Sequence, residues 1–319
     1  MFDFLSLIKI ALLSRALFCA AELSIAETIL DKPLTSHELA AEVQVDQEYL
    51  ERMMRLLMAY DFFAQNKNNE YIHTKNSLFL CADHPQSMRA FVLHDDTTRW
   101  NAIGNLSLAL KKGSSVYESL YGEPYFDYIK KQPLLQERFN QAMEIVSQEE
   151  ETVIAQQLHF QGTVADIGGG TGNLIKKILV KNPLVSHGFV FDICQSTCHT
   201  EENITYAPGS FFEPITITAD IFVLKRILHD WNDTQSTEIL RNIAAAMNQS
   251  TSLYIIDSII DQCIDQQMIT SIDLLLMTIF GGKERTLSEW NLLCSQAGLK
   301  IERIHALNGL IHALECKKA

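Results

Sequence analysis

The chain has 319 residues, enough for two ordinary domains, and its 47% hydrophobic and 20% charged residues are the balance of a globular protein rather than a disordered one. A formal charge of −13 opposes a polyanion and argues against nucleic acid as a partner. Seven cysteines (19, 81, 194, 198, 263, 294 and 316) are odd in number, scattered and without a CxxC pair, so they read as thiols of a reducing compartment. Cys194, Cys198 and His199 come nearest to a metal patch but lack a fourth ligand, and no metal is expected.

The first segment, "MFDFLSLIKIALLSRALFCAAELSIAETIL", is apolar, yet Asp3, Lys9, Arg15 and Glu22 interrupt it. Its longest uncharged run is well short of the roughly 18 residues a spanning helix needs. Leu12, Leu13, Ala16, Leu17, Ala20 and Leu23 recur at helical spacing, which predicts an amphipathic helix with one buried face, no membrane span and a cytoplasmic location. In "TSHELAAEVQVDQEYLERMMRLLMAYDFFAQNKNNEYIHTKNS", Ser36 is the candidate N-cap of a short helix. A second helix presents Leu50, Met53, Met54 and Leu57 on one face. Two short segments around "FFAQ" and "EYIHT" then make a β-wing. Residues 31–75 hold five Lys or Arg against eight Asp or Glu, the wrong sign for DNA recognition, which favours a dimer-forming winged helix. The expected boundaries are an otherwise all-helical winged-helix domain over 1–92 and a second domain over 93–319, joined by a helical bridge over 93–160.

From Thr163 the period changes. "TVADI", "HGFVFDI", "ITYAPG", "ADIFVL" and "TSLYIIDSI" are short β-rich runs between helical stretches, the alternation of an α/β, doubly wound, mainly parallel Rossmann-like sheet. Such a sheet binds its ligand at the carboxyl ends of its strands. The first of those ends carries "VADIGGGTGNL", where Gly168, Gly170 and Gly172 allow a tight turn and close approach to a ligand. The spacing is G-x-G-x-G; the sixth position of a dinucleotide fingerprint is Asn173, which favours S-adenosylmethionine over a nicotinamide dinucleotide. Asp192 ends the second strand and suits the two ribose hydroxyls of an adenosine. In "APGSFFEP", Ser210 and Phe211 are placed to meet the adenine edge and face, with core packing as the alternative for Phe211 and Phe212.

Taken together, "DIGGGTG", "FD", "GSFFEP", "LKRILHDWND", "GGKERT" and the N-terminal winged helix resemble the S-adenosylmethionine-dependent O-methyltransferases that include hydroxyindole O-methyltransferase and the plant caffeate and flavonoid enzymes. The resemblance runs from about Leu12 to the C-terminus, and "LKRILHDWND" and "GGKERT" are its most specific parts. It implies a class I methyltransferase sheet, a homodimer built through the N-terminal domain, and a small aromatic hydroxyl acceptor.

His229 follows the fourth strand, which in such a sheet lies beside the glycine-bearing first strand. A phenol with a pKa near 10 is a poor nucleophile at neutral pH, and an imidazole can take its proton as attack begins. The resemblance adds Asp257 and Glu284 as carboxylates that orient this base, and Lys225 as a cofactor contact. It further implies that Phe139, Met143, Met277 and Phe280 line the acceptor site. Two positions depart from the family pattern: Asp257 stands where Glu is usual, and Ser210 where Asp is usual. Each residue has a structural alternative. His229 can simply open a helix, Asp230 solvate its turn, Trp231 pack, Lys225 face solvent and Glu284 pair with Arg285, while Asn232 or Asp233 caps the helix that follows. Three readings stay open: a small-molecule O-methyltransferase, a relative that keeps the cofactor for hydroxylation or rearrangement, and a ligand-sensing winged-helix regulator.

Overall fold

A computed structural model describes residues 4–193 and 198–319. The chain divides into two compact units, one running up to Asn101 and including Phe126–Val146, the other formed by Ala102–Tyr125 and Ser147–Ala319. Each unit is therefore built from two stretches of the sequence.

In the first unit, helix α1 (Leu5–Glu22) buries Ala16, Phe18, Ala20 and Ala21. Leu5, Leu7, Ile8, Ile10 and Leu12 on the same helix are all more than half exposed, so Leu12 falls outside the face expected to be buried. Strand β1 (Leu34–Thr35) leads into α2 (Ser36–Glu42), whose N-cap is Thr35 rather than Ser36. The reason is a reciprocal pair of bonds: the Thr35 N–H donates to the Glu38 carboxylate at 2.9 Å, and the Glu38 N–H donates to Thr35 Oγ1. Helix α3 (Gln47–Ala59) is capped by Asp46 and buries Leu50, Met54 and Leu57, with Met53 half-buried beside them. Strands β2 (Phe63–Gln65) and β3 (Glu70–His73) join β1 in an antiparallel sheet of order β1-β3-β2.

Helix α4 (Pro133–Gln157) begins in the first unit and ends in the second. The second unit is built on β4 (Gly162–Ile167), β5 (Val185–Asp192), β6 (His199–Glu201), β7 (Ile204–Pro208), β8 (Ile221–Lys225), β9 (Ser252–Asp257), β10 (Leu299–Ala306) and β11 (His312–Lys318). Their order is β10-β11-β9-β8-β4-β5-β7-β6, with β9, β8, β4, β5 and β7 mutually parallel. The parallel strands are the five legible in the sequence, because strands covered on both faces carry nearly unbroken apolar runs. On one face Ala165, Phe222, Leu224 and Ile255 pack against Ile239, Leu240 and Ile243 of α5 (Asp233–Ala246) and Trp290 of α6 (Leu287–Gln296). On the other, Val164, Val190, Val223 and Ile256 pack against Leu174, Ile175 and Ile178, and against Ile154 and Leu158 near the end of α4.

Because β4, β5, β8 and β9 are parallel, their carboxyl ends share one edge of the sheet. That edge carries the glycine loop, Asp192, Lys225 and Asp257. Among the described residues, no helix is long and apolar enough to cross a membrane.

Candidate active site

Gly168, Gly170 and Gly172 all have left-handed backbones, with φ of +75°, +54° and +79°. A Cβ on Gly168 would strike the Ile227 side chain and one on Gly172 would lie 2.9 Å from Val190, whereas one on Gly170 would project into open space. The Gly170 N–H donates to Asp192 Oδ2 at 2.9 Å, so the half-buried carboxylate at the end of β5 is pinned to the loop. Lys225 at the end of β8 donates from Nζ to Ser147 Oγ at 2.8 Å. Ser210 Oγ accepts from the Phe212 N–H at 3.2 Å and so holds its own turn. Phe212 meets Trp231 edge-on at 4.8 Å, and Phe211 packs against both.

The end of β8 runs into a single 3₁₀ turn, Leu228–Asp230, that carries His229. The imidazole is 13% exposed, with Nδ1 at 3.0 Å from Glu284 Oε1 and 3.6 Å from Asp257 Oδ1. Asp230 Oδ1 lies 3.7 Å from Nε2. Burial resists charging of the ring, but Asp257, Asp230 and Glu284 together outweigh it and push the His229 pKa up to about 9. Burial also pushes the Asp257 carboxyl up to about 7, with His229 pulling the other way. Glu284 makes the hydrogen bond; the shorter Asp257 does not, and neither of its oxygens has a hydrogen-bond partner among the described residues. Asp257 therefore acts on the ring through its charge.

The backbone around this turn is held by "GGKERT". Arg285 is fully buried and donates to the carbonyls of Leu228 and Trp231, each at 2.8 Å, and to the Asp233 carboxylate at 2.9 Å. The Lys283 N–H donates to the His229 carbonyl at 2.9 Å. That approach requires Gly282, since a Cβ there would overlap the His229 carbonyl oxygen. Glu284 thus reaches the ring while its neighbours clamp the chain on both sides of it, rather than pairing with Arg285. Asn232 caps α5 by accepting from the Gln235 N–H at 3.0 Å.

One ligand-type atom from each of His229, Asp257 and Glu284 lies within 4.8 Å of the others, the span of a metal-binding trio. The Arg226 guanidinium stands 3.6 Å from the same Glu284 oxygen and already supplies the positive charge a cation would bring, so the cluster is better suited to a proton than to a metal.

The four acceptor-site candidates fall in different units. Met277 and Phe280 belong to the second, at the end of α7 (Gln266–Ile279) and just beyond it; both are half-buried, and Phe280 meets Tyr125 edge-on at 4.9 Å. Phe139 and Met143 belong to the first, where Phe139 packs against His94 and Phe126.

The O-methyltransferase domain family matches residues 103–300, and the O-methyltransferase dimerisation domain matches residues 5–83. The chain belongs to the O-methyltransferase family. Among its relatives, the mitomycin biosynthesis 6-O-methyltransferase of Streptomyces lavendulae is 30% identical over 310 residues, covering 91% of this chain and 86% of that protein. The 2,7-dihydroxy-5-methyl-1-naphthoate 7-O-methyltransferase of Streptomyces carzinostaticus is 29% identical over 91% of this chain and 90% of its own. Among solved structures, an O-methyltransferase of neocarzinostatin biosynthesis in complex with S-adenosylmethionine and 2-hydroxy-5-methyl naphthoic acid superposes with a TM-score of 0.83. It is 26% identical and covers 96% of both chains.

The loop of this methyltransferase has the form such a cofactor needs: Gly170 leaves space where any other residue would place a side chain, and Asp192 is fixed above it. Three contributors escape a reading of the sequence alone. Arg226 and Arg285 look like ordinary surface charges, and Gly282 looks like a turn residue. The one available signal was their place within the two most specific motifs.

Proposed function

We propose that this methyltransferase, using S-adenosylmethionine, methylates a phenolic hydroxyl of a flat aromatic small molecule, with His229 as general base. The observation that carries the reading is the imidazole held through Nδ1 by the buried Glu284, at the end of the strand next to the glycine loop. The relatives whose names give fused-ring acceptors support the aromatic class. When bound, S-adenosylmethionine supplies an electrophilic methyl group on a sulfonium. We assign its cradle to Gly168, Gly170 and Gly172, its ribose to Asp192, its adenine to Ser210 and Phe211, and a further contact to Lys225. Phe139, Met143, Met277 and Phe280 are assigned to the acceptor.

With Nδ1 taken by Glu284, Nε2 is the atom that receives the phenolic proton. A pKa of about 9 brings the ring close to that of a phenol, near 10, so the proton passes almost without cost. The same shift means the ring must first lose a proton at neutral pH, which couples turnover to pH. Asp257 stabilises the imidazolium as it forms. Substituting His229→Gln should leave S-adenosylmethionine binding intact by calorimetry and lower methyl transfer to hydroxynaphthoates by about 10²–10⁴-fold; turnover near wild type would overturn the base assignment.

Residues 1–92 are assigned to dimerisation and 93–319 to catalysis. The exposed Leu5, Leu7, Ile8, Ile10 and Leu12 give α1 an apolar surface suited to a second copy of the chain.

A further inference from the structure

Arg226 lies just past the end of β8 in a backbone conformation unusual for a long side chain. Its φ is +54°, a left-handed backbone that glycine or asparagine adopts far more readily than a long side chain. The guanidinium lies in a half-buried site with polar partners. Nε lies 3.2 Å from Glu150 Oε1, Nη2 donates to the same carboxylate at 2.6 Å, and Nη1 donates to Ser258 Oγ at 2.9 Å. The same Nη1 stands 3.6 Å from Glu284 Oε1, the oxygen that Nδ1 of His229 contacts.

We propose that Arg226 is a positioning residue for the base: pinned by Glu150 and Ser258, its guanidinium fixes the Glu284 carboxylate against Nδ1 of His229 and withholds part of that carboxylate's charge from the ring. The inference rests on the assignment of His229 as base. The carboxylates around the ring are Asp230 on its own turn, Asp257 on β9, Glu284 beyond α7 and Glu150 on α4, and the cations that act on these carboxylates are Lys225 at the end of β8, Arg226 just past it and Arg285. Without Arg226, the carboxylates of Glu150, Asp230, Asp257 and Glu284 would face the imidazole with one cation fewer opposing them, and Arg285 is committed to the backbone of the turn and to Asp233. The ring would then hold its proton to higher pH and serve less often as a base.

The test reads ionisation and not turnover. The full chain, labelled with ¹³C at the histidine ring, is titrated by NMR, and the His229 signal is assigned by its loss in His229→Gln. Arg226→Gln should raise the His229 midpoint by about one pH unit, the scale of a charge removed several ångströms away at intermediate dielectric. Glu150→Gln should move it down, because an anion has been removed while Arg226 stays. Arg226→Lys, which retains the charge, should stay within about half a unit of wild type. An unchanged midpoint in Glu150→Gln overturns the proposal even if Arg226→Gln fails to fold, as does a shift in Arg226→Lys as large as in Arg226→Gln. A failed base assignment would show instead as His229→Gln turnover near wild type, leaving these midpoints unaffected.

Discussion

Replacing Gly282 by alanine tests whether the backbone clamp, rather than the Glu284 hydrogen bond alone, sets the position of His229. The added methyl would overlap the His229 carbonyl oxygen and lie 2.6 Å from the Asp230 carbonyl carbon. Both are main-chain atoms, so no side chain can swing away; either the turn bearing His229 or the segment bearing Glu284 must move, by about 1 Å. Overpacking by one methyl costs about 1–3 kcal/mol. Weakening the Lys283 N–H bond to the His229 carbonyl adds about 1 kcal/mol. For a domain of this size each kcal/mol lowers the melting temperature by about 2–4 °C, so a fall of roughly 5–15 °C is expected. The displaced base should cost on the order of 10²-fold in rate. Thermal unfolding by circular dichroism and transfer of a labelled methyl group to an aromatic hydroxyl acceptor that the wild type methylates give the two readouts. Gly309→Ala is the control, because its Cβ meets Ile264 at an ordinary 3.6 Å. A Gly282→Ala enzyme that matches wild type in both melting and rate would refute the clamp.

Activity at saturating cofactor should rise with pH as the ring loses its second proton, with a midpoint moved up from 6.5 toward about 9. The sign for stability is opposite: a folded-state pKa above the unfolded value stabilises fully below pH 6.5, and this contribution fades as pH rises through about 9, so the melting advantage of wild type over His229→Gln should shrink between pH 6 and pH 9.5. Asp192→Ala removes the acceptor of the Gly170 N–H and should weaken S-adenosylmethionine binding by about tenfold or more by calorimetry, the worth of a hydrogen bond to a charged group; unchanged affinity would remove Asp192 from the cofactor site. Light scattering at micromolar concentration should give twice the 36.1 kDa chain mass, and a species of 36.1 kDa would refute the dimer.

What the sequence discloses about such a site depends on whether the information is local. Strands β4, β8 and β9 are legible because most of their residues are buried and their apolar runs are nearly unbroken, and β5 and β7 because short β-rich runs survive in "FVF" and "ITYA". Strand β10 is not, since it keeps only Leu299 buried and carries Lys300, Glu302 and Arg303 toward solvent. His229, Asp192 and the glycines can be singled out as candidates because the signal resides in the residue and its place at a strand end. Arg285 and Gly282 cannot be found that way. The first acts on the carbonyls of Leu228 and Trp231, and the second acts by lacking an atom where the His229 carbonyl passes. Both depend on which backbone lies opposite, a fact that exists only after β8 and β9 have paired and brought the ends of distant segments together. The departure at residue 257 follows the same logic: that aspartate is one methylene shorter than glutamate is written in the sequence, but only the 3.6 Å gap to Nδ1 turns a lost hydrogen bond into a charge acting at a distance. Such a charge favours the ring's proton without competing with Glu284 for Nδ1, which leaves Nε2 outside the Glu284 hydrogen bond.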